Sequence, residues 1–147
     1  MLAAGRMENI MFKNSNFYKC NNGVVVVNTT PHPITMQDVD GTLVSIPNDP
    51  EYLLNASTEE VQVSDLFVQT KFLATDEGYA ILQRIQEEFD GLENFKGCTL
   101  VVVGSILAAQ AYPGKVAGLC PVPGYERVAP AEKRMRCDKF TIFPKQD

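Results

Sequence analysis

Two runs of β-branched residues constrain the fold more than any other feature of this 147-residue chain. The first run is GVVVVN at residues 23–28, and the second is TLVVV at residues 99–103. Each is bounded by Gly, Asn, Ser or Pro residues that favour turns. Short apolar runs between such residues are typical of buried strands. We therefore predict that both runs are strands of the hydrophobic core.

A β-hairpin is predicted directly after the first run. The prolines of TPHP cannot donate backbone hydrogen bonds, so residues 29–33 are expected to form an extended, irregular crossing. A strand resumes at residues 34–36, and the sequence DVDG at 38–41 predicts a hairpin turn. The return strand is predicted over residues 42–47.

The remaining elements are predicted from periodicity and capping residues. Thr75-Asp76-Glu77 supplies an N-cap and an acidic first turn for a helix that ends near Asp90-Gly91. A short alanine-rich helix is predicted over residues 106–111. Residues 48–58 are predicted as a loop. Further strands are predicted at 61–64, 66–73 and about 135–143.

These elements predict one α+β domain over residues 16–147, with a mixed, mainly antiparallel sheet and one or two helices. Residues 1–15 are predicted to be a flexible N-terminus. No apolar run approaches the roughly 20 residues that a bilayer requires. The first residues contain too short an apolar stretch for a signal peptide. We therefore expect a soluble, cytoplasmic protein without a membrane partner.

The charge distribution points to a small anionic partner. The formal net charge is −5, which argues against binding to long nucleic acids through their phosphates. Basic residues nevertheless cluster toward the C-terminal end. A local basic cluster in an acidic protein is compatible with a small anionic ligand or an acidic partner, and equally with a solvated surface. The cluster comprises Lys133, Arg134, Arg136 and Lys139, with Lys115 and Arg127 upstream.

The cysteines do not predict a metal site. Cys20, Cys98, Cys120 and Cys137 are widely separated, and the chain has one histidine. Structural zinc sites usually show closely spaced ligand pairs. We predict reduced, mostly buried thiols, and no metal or cofactor. Whether the four thiols converge in space is left open.

Two segments could contact an anion. Gly104-Ser105 separates the second valine-rich strand from the short helix, where backbone N–H groups and the Ser105 hydroxyl could bind an anion. The alternative is that Ser105 only caps the helix. His32, with Thr30 beside it, lies in the stiff proline-flanked crossing. His32 could line a ligand pocket, act as a general acid or base, or be a structural residue.

Aromatic and basic residues near the C-terminal end suit a flat, charged ligand. Tyr112 and Tyr125 could stack on a base, and Arg127 with the basic cluster could bind phosphate bidentately. A nucleotide would use both kinds of group. The alternative is that the tyrosines cover the edge of the core.

Several of these residues resemble a family of small proteins associated with phages, prophages and some bacteria. Asn28-x-Thr30-Pro31-His32-x-Ile34, then Asp40-Gly41 and Ile46-Pro47, is similar to that family's opening "NLTPH-x-(I/V) … DG … (I/L)P". LVVVGSILAAQAYPGK and the following CPVPG resemble its "YIVS-x-LVA-x-A … R … VPG" stretch. Thr29 replaces the usual Leu, Gly104 replaces a commoner Val, and residues 48–98 do not align.

The resemblance implies a viral accessory protein without enzymatic activity. By analogy with proteins that sequester nucleotide immune signals, we expect a homo-oligomer that binds a small phosphate-bearing nucleotide and counteracts host defence. The alternatives are an enzyme acting on a nucleotide or phosphate ester with His32 as general acid or base, or a protein-binding inhibitor or virion component. The predicted ligand contacts are Thr30, His32, Gly104, Ser105, Tyr112, Tyr125, Arg127, Arg134 and Arg136.

Overall fold

The computed structural model describes residues 16–145, so the predicted flexible segment 1–15 lies outside the described residues. Within 16–145 the chain forms nine strands and two α-helices. The strands are β1 Phe17–Lys19, β2 Val24–Asn28, β3 Ile34–Gln37, β4 Leu43–Ile46, β5 Ser57–Gln62, β6 Val68–Leu73, β7 Thr99–Val103, β8 Gly118–Pro121 and β9 Met135–Thr141. The helices are α1 Asp76–Asp90 and α2 Ile106–Ala111.

The two valine-rich runs lie side by side in a three-stranded sheet of order β1-β2-β7. Strands β2 and β7 pair in parallel, from Val24 with Thr99 to Asn28 with Val103. Three successive residues of β2, at 25–27, are fully buried. A strand with both faces covered does not need alternating polar residues, which explains the continuous apolar run. The prediction of two core strands is confirmed.

A four-stranded sheet of order β4-β3-β9-β8 holds the predicted hairpin. Strands β3 and β4 are antiparallel, with Ile34 opposite Ile46, as the DVDG turn predicts. The turn uses Gly41 at a φ of 90°, a value that glycine adopts readily. Strand β9 pairs in parallel with β3 and antiparallel with β8. The predicted C-terminal strand is thus confirmed and ends at Thr141.

The third sheet is an exposed two-stranded hairpin, β5 with β6. Its first strand begins at Ser57 and ends at Gln62, so the predicted loop 48–58 is two residues too long. The predicted strand at 61–64 also runs past its observed end. The sequence STEEVQ has no apolar alternation, because every residue of β5 is exposed. Its strand conformation depends on cross-strand pairing with β6, which a local pattern does not show.

The helices cover the three-stranded sheet and begin as predicted. The Thr75 side chain caps α1 by accepting a hydrogen bond from the Gly78 amide, and Ser105 caps α2 by accepting one from the Ala108 amide. Ile85 of α1 is fully buried against this sheet, in a core cluster with Val25 and residues of α2. No helix among the described residues is long and apolar enough to cross a bilayer.

A second core cluster links the three-stranded and four-stranded sheets. It contains Val26 and Val103 with Met36, Ile46 and Cys137. Four strand pairs are antiparallel and two are parallel, which confirms the α+β class with mixed, mainly antiparallel sheets. Strands β1 and β8 were not predicted, because the sequences FYK and GLCP show neither a β-branched run nor an alternation of polar and apolar residues.

Candidate functional site

The four-stranded sheet has an outer face that carries polar side chains. Side chains alternate along a strand, and Arg136 of β9 is paired with Gln37 of β3. Thr35, Gln37, Arg134 and Arg136 therefore share this face. Two clefts are lined by these residues, one by Thr35 and Arg134 and the other by Gln37 and Arg136. We call them the Tyr125 cleft and the Asp38 cleft.

The Tyr125 cleft is formed by the loop that joins β8 to β9. The Val122 amide donates to the Arg134 carbonyl (2.8 Å), and the Tyr125 amide donates to the Val122 carbonyl (2.9 Å). These bonds close the loop and bring Tyr125 under Arg134, whose guanidinium carbon lies 4.5 Å from the centre of the ring. Arg134 Nη1 also donates to Gln37 Oε1 at 3.4 Å. The guanidinium is thus held over the face of an aromatic ring.

The Tyr125 cleft carries a net positive charge. It has a volume of about 420 Å³, and its charged lining residues are Glu132, Lys133 and Arg134, a net charge of +1. Within residues 16–145, no carboxylate oxygen lies within 4.0 Å of the Arg134 guanidinium. An arginine has five N–H donors, and stacking leaves its edge donors available. The arrangement can bind an anion.

The Asp38 cleft carries the opposite charge. It has a volume of about 320 Å³, and its charged lining residues are Asp38, Arg136 and Asp138, a net charge of −1. Arg136 is engaged with Asp138 through two bonds, from Nε to Oδ1 (2.7 Å) and from Nη2 to Oδ2 (3.1 Å). This hydrogen-bonded pair holds the pKa of Asp138 below its usual value and raises the pKa of Arg136. Two of the five N–H donors of the Arg136 guanidinium are therefore already engaged by a carboxylate.

The floor of the Asp38 cleft is a buried carboxylate. Asp38 is only 2% exposed. Its Oδ1 accepts from the Asn21 amide (3.0 Å) and the Val39 amide (2.7 Å), and its Oδ2 accepts from the Tyr18 hydroxyl (2.9 Å). Burial, followed by this hydrogen bond to Asp38, raises the pKa of Tyr18. The network ties the β1–β2 turn to the β3–β4 turn.

Two thiols complete this floor. The ligand atoms of Cys20, Asp38 and Cys137 all lie within 4.8 Å of one another, and all three residues are buried. Burial, with Cys137 and Asp38 as negative neighbours, raises the pKa of Cys20 from 9.0 to about 12. Burial also raises the pKa of Cys137. Two of the four cysteines therefore converge, which the sequence did not predict because they lie at opposite ends of the chain.

His32 and Thr30 lie outside both clefts, in the crossing between β2 and β3. The Asn28 side chain holds this crossing: its Nδ2 donates to the His32 carbonyl (2.8 Å), and its Oδ1 accepts from the Thr30 amide (2.9 Å). The Thr30 hydroxyl is hydrogen-bonded to Asn28 Oδ1 (2.6 Å) and lies 2.8 Å from the His32 carbonyl. The His32 side chain is exposed. The contacts of Thr30 and of the His32 backbone therefore fit a structural role in this crossing.

Gly104 and Ser105 are explained by packing and capping. A Cβ atom at Gly104 would lie 2.7 Å from Val116 Cγ1 and 3.1 Å from Thr29 Oγ1, so only glycine fits there. Ser105 Oγ accepts from the Ala108 amide at 3.1 Å. The helix that follows has only six residues. This is the capping alternative that the sequence left open.

Tyr112 and Arg127 also lie away from the two clefts. Tyr112 is fully buried, and its hydroxyl donates to the Asn55 carbonyl (3.1 Å) and accepts from the Thr75 amide (3.1 Å). It is a core residue and does not offer a stacking surface. Arg127 is exposed in the same loop as Tyr125 but lines neither cleft. Of the nine predicted contacts, only Tyr125, Arg134 and Arg136 meet at the outer face.

A larger cleft, of about 470 Å³, lies between α1 and β7. Lys115 is its one charged lining residue among those described, and none of the predicted contacts lines it. Comparisons of the chain with protein-family models, with curated proteins and with solved structures gave no match.

Proposed function

We propose that this chain is a non-enzymatic binding protein for a small phosphate-bearing nucleotide, and that the Tyr125 cleft is its binding site. The observation that carries the proposal is Arg134 stacked 4.5 Å from the Tyr125 ring centre, beside Lys133 and without a carboxylate partner among the described residues. Such an arginine is oriented in advance, so less conformational entropy is lost on binding.

The two halves of a nucleotide would use different groups of this cleft. The edge N–H groups of Arg134 would bind phosphate oxygens bidentately, and Lys133 would add a second positive charge. The base would stack on the aromatic and guanidinium planes, as bases do on Tyr and Arg in single-strand binding sites. A volume of about 420 Å³ is within the range of small-molecule sites.

Catalysis is supported less well than binding. A general base needs a reacting group or an orienting partner within hydrogen-bond reach. In the part of the chain that the structure describes, the His32 imidazole makes no hydrogen bond to another side chain, and His32 lines neither cleft. The further proposals of a phage-type origin, sequestration of an immune signal and homo-oligomerisation rest on the resemblance of residues 28–47 and 100–124 to the phage-associated family.

The test is a titration of the purified chain with ADP-ribose, cyclic dinucleotides and cyclic trinucleotides, followed by calorimetry and thermal unfolding. At 100 times the dissociation constant, a ligand stabilises the fold by about 2.7 kcal/mol. We expect stabilisation by at least one probe, with the ligand recovered intact after denaturation. Arg134→Ala should reduce this stabilisation to about 0.4–1.4 kcal/mol, as a tenfold to hundredfold weaker affinity implies, whereas the exposed Arg127→Ala should keep it. No shift with any probe, or an equal loss in both variants, would contradict the proposal.

A further inference from the structure

Two thiols and a carboxylate meet at the floor of the Asp38 cleft, and we propose that they form a binding site for a thiophilic divalent cation of the zinc type. The ligands would be Cys20 Sγ, Cys137 Sγ and one Asp38 oxygen. A fourth coordination position would face the cleft. This inference does not depend on the proposed nucleotide function, since the two clefts are lined by different residues.

The spacing of the three groups suits one tetrahedral ion. Zinc–sulfur bonds are about 2.3 Å long, so two sulfur ligands of a tetrahedral zinc ion lie about 3.8 Å apart. Cys137 Sγ lies 3.9 Å from Asp38 Oδ1, and no two of the three ligand atoms are more than 4.8 Å apart. Small movements of the three side chains would therefore complete the geometry.

The ligand types and their access agree with this assignment. Cysteine thiolates and carboxylates are common zinc ligands, and sites with three protein ligands keep a position for water or another ligand. Asp38 and Cys137 line the cleft although each is only 2% exposed, so the site lies at the base of the cleft, just below its surface. Cys20 closes the site from the protein side, where it is 0% exposed.

The electrostatics favour a cation over an anion. Buried carboxylates are usually paired with a cation or coordinate a metal. Asp38 has no Lys or Arg nitrogen within 4.0 Å among the described residues. The cleft above it has a net charge of −1, because Asp138 already neutralises Arg136. An ion at the floor would supply the missing counter-charge.

The hydrogen bonds of Asp38 would form the outer shell of the site. Ligating carboxylates are usually held by such bonds, which fix their orientation. Here the Tyr18 hydroxyl donates to Oδ2 (2.9 Å), and the Asn21 amide donates to Oδ1 (3.0 Å). The carboxylate is therefore positioned by the β1–β2 turn before any ion binds.

The first test uses the full chain, reduced and freed of metal, and titrates it with Co²⁺ and then with Zn²⁺. We expect one equivalent of Co²⁺ per chain, a thiolate-to-cobalt charge-transfer band in the near ultraviolet, and loss of this band when Zn²⁺ is added. Cys20→Ser and Cys137→Ser should lose the band. Cys98→Ser and Cys120→Ser, which change cysteines outside the cluster, should retain it. A band of unchanged intensity in Cys20→Ser would overturn the assignment.

The second test needs no variant and remains decisive if the serine variants do not fold. X-ray absorption of the zinc-loaded wild-type chain should show two sulfur neighbours at about 2.3 Å together with lighter atoms. Only nitrogen and oxygen neighbours, or less than one tenth of an equivalent of bound zinc, would overturn the proposal. Rapid oxidation of Cys20 and Cys137 to a disulfide that zinc does not prevent would also overturn it.

Discussion

Arg134 and Arg136 lie two residues apart on one face of the same sheet, yet they occupy different chemical settings. Arg134 stacks on Tyr125 without a carboxylate partner among the described residues, whereas Arg136 is held by Asp138 through two hydrogen bonds. Lys133 and Arg134 outweigh Glu132 in the Tyr125 cleft, which has a net charge of +1, whereas Asp38 and Asp138 outweigh Arg136 in the Asp38 cleft, which has a net charge of −1. The local pairing of an arginine, more than its presence, determines which ion a cleft attracts.

The two clefts also differ in depth. The Tyr125 cleft is walled by a surface loop and by half-buried side chains. The floor of the Asp38 cleft is a network around the buried Asp38 that joins β1 to the β1–β2 and β3–β4 turns. Substitutions in the first cleft should therefore alter binding, and substitutions in the floor of the second should alter stability. Each of the following experiments tests one side of this comparison.

Asp38→Ala should have the largest effect. Removing this carboxylate leaves the Tyr18 hydroxyl and the Asn21 and Val39 amides without an acceptor. Hydrogen bonds to a charged group contribute about 1.5–3 kcal/mol each, and because these three bonds are only partly buried, rehydration of the freed donors should reduce the net loss to about 3 kcal/mol. Urea unfolding measures this loss. Asp138→Ala is the matched control, because Asp138 is exposed, and it should cost less than about 1 kcal/mol. Equal losses would contradict a buried structural role for Asp38.

Arg134→Ala should weaken nucleotide binding about tenfold to a hundredfold. Charge-assisted hydrogen bonds contribute about 1.5–3 kcal/mol, and each 1.4 kcal/mol corresponds to a factor of ten in the dissociation constant. Calorimetric titration with the nucleotide that binds the wild-type chain measures the change. Arg136→Ala should leave the affinity within about twofold, since its fork is already engaged by Asp138. If Arg136→Ala has the larger effect, the nucleotide binds in the Asp38 cleft and not in the Tyr125 cleft.

Alkaline pH should destabilise the metal-free protein through the floor of the Asp38 cleft. Burial raises the pKa of Cys20 from 9.0 to about 12. Between these two values the unfolded chain releases the thiol proton and the folded chain retains it, so the unfolding free energy decreases as pH rises. The effect is absent below pH 9. Urea unfolding at several alkaline pH values should show that the unfolding free energy decreases less steeply with pH for Cys20→Ala than for wild type. Parallel pH profiles would contradict the assignment of this decrease to the Cys20 thiol.

Local patterns predicted most of the fold. The buried strands β2 and β7, the β3–β4 hairpin and α1 each carry their signal within a few consecutive residues: an apolar run, an Asp-Gly turn, or an N-cap with a stripe. Strands β1 and β8 lack such a signal and form because neighbouring strands pair with them. The sequence NTTPHPI suggested a ligand contact at His32, but the hydrogen bonds that brace this crossing come from the side chains of Asn28 and Thr29.

The candidate site was predictable only in part. A cluster of basic residues near two tyrosines indicated an anion site, and Tyr125 and Arg134 do meet. The sequence could not separate Arg134 from Arg136, because the partner of each depends on side-chain orientation. The meeting of Cys20 with Cys137 depends on how the β1–β2 turn packs against β9, and such a long-range contact has no local pattern.

Breaking the exposed Arg136–Asp138 pair should have the smallest effect on the unfolding free energy, and this effect should depend most clearly on pH. The bidentate hydrogen bonds of the pair lower the pKa of Asp138 in the folded chain. The pair therefore stabilises the fold at pH values above the pKa of Asp138 in the unfolded chain, about 3.9, and this stabilisation is lost as pH falls through the lower pKa of the folded chain. Because the side chain is exposed, Asp138→Asn should cost only a few tenths of a kcal/mol at neutral pH. Unfolding by urea from pH 7 to pH 2 should show the two proteins converging at the acidic end. A constant difference would mean that Asp138 acts through packing and not through its charge. Asp38 would then be the main source of the negative charge of the Asp38 cleft.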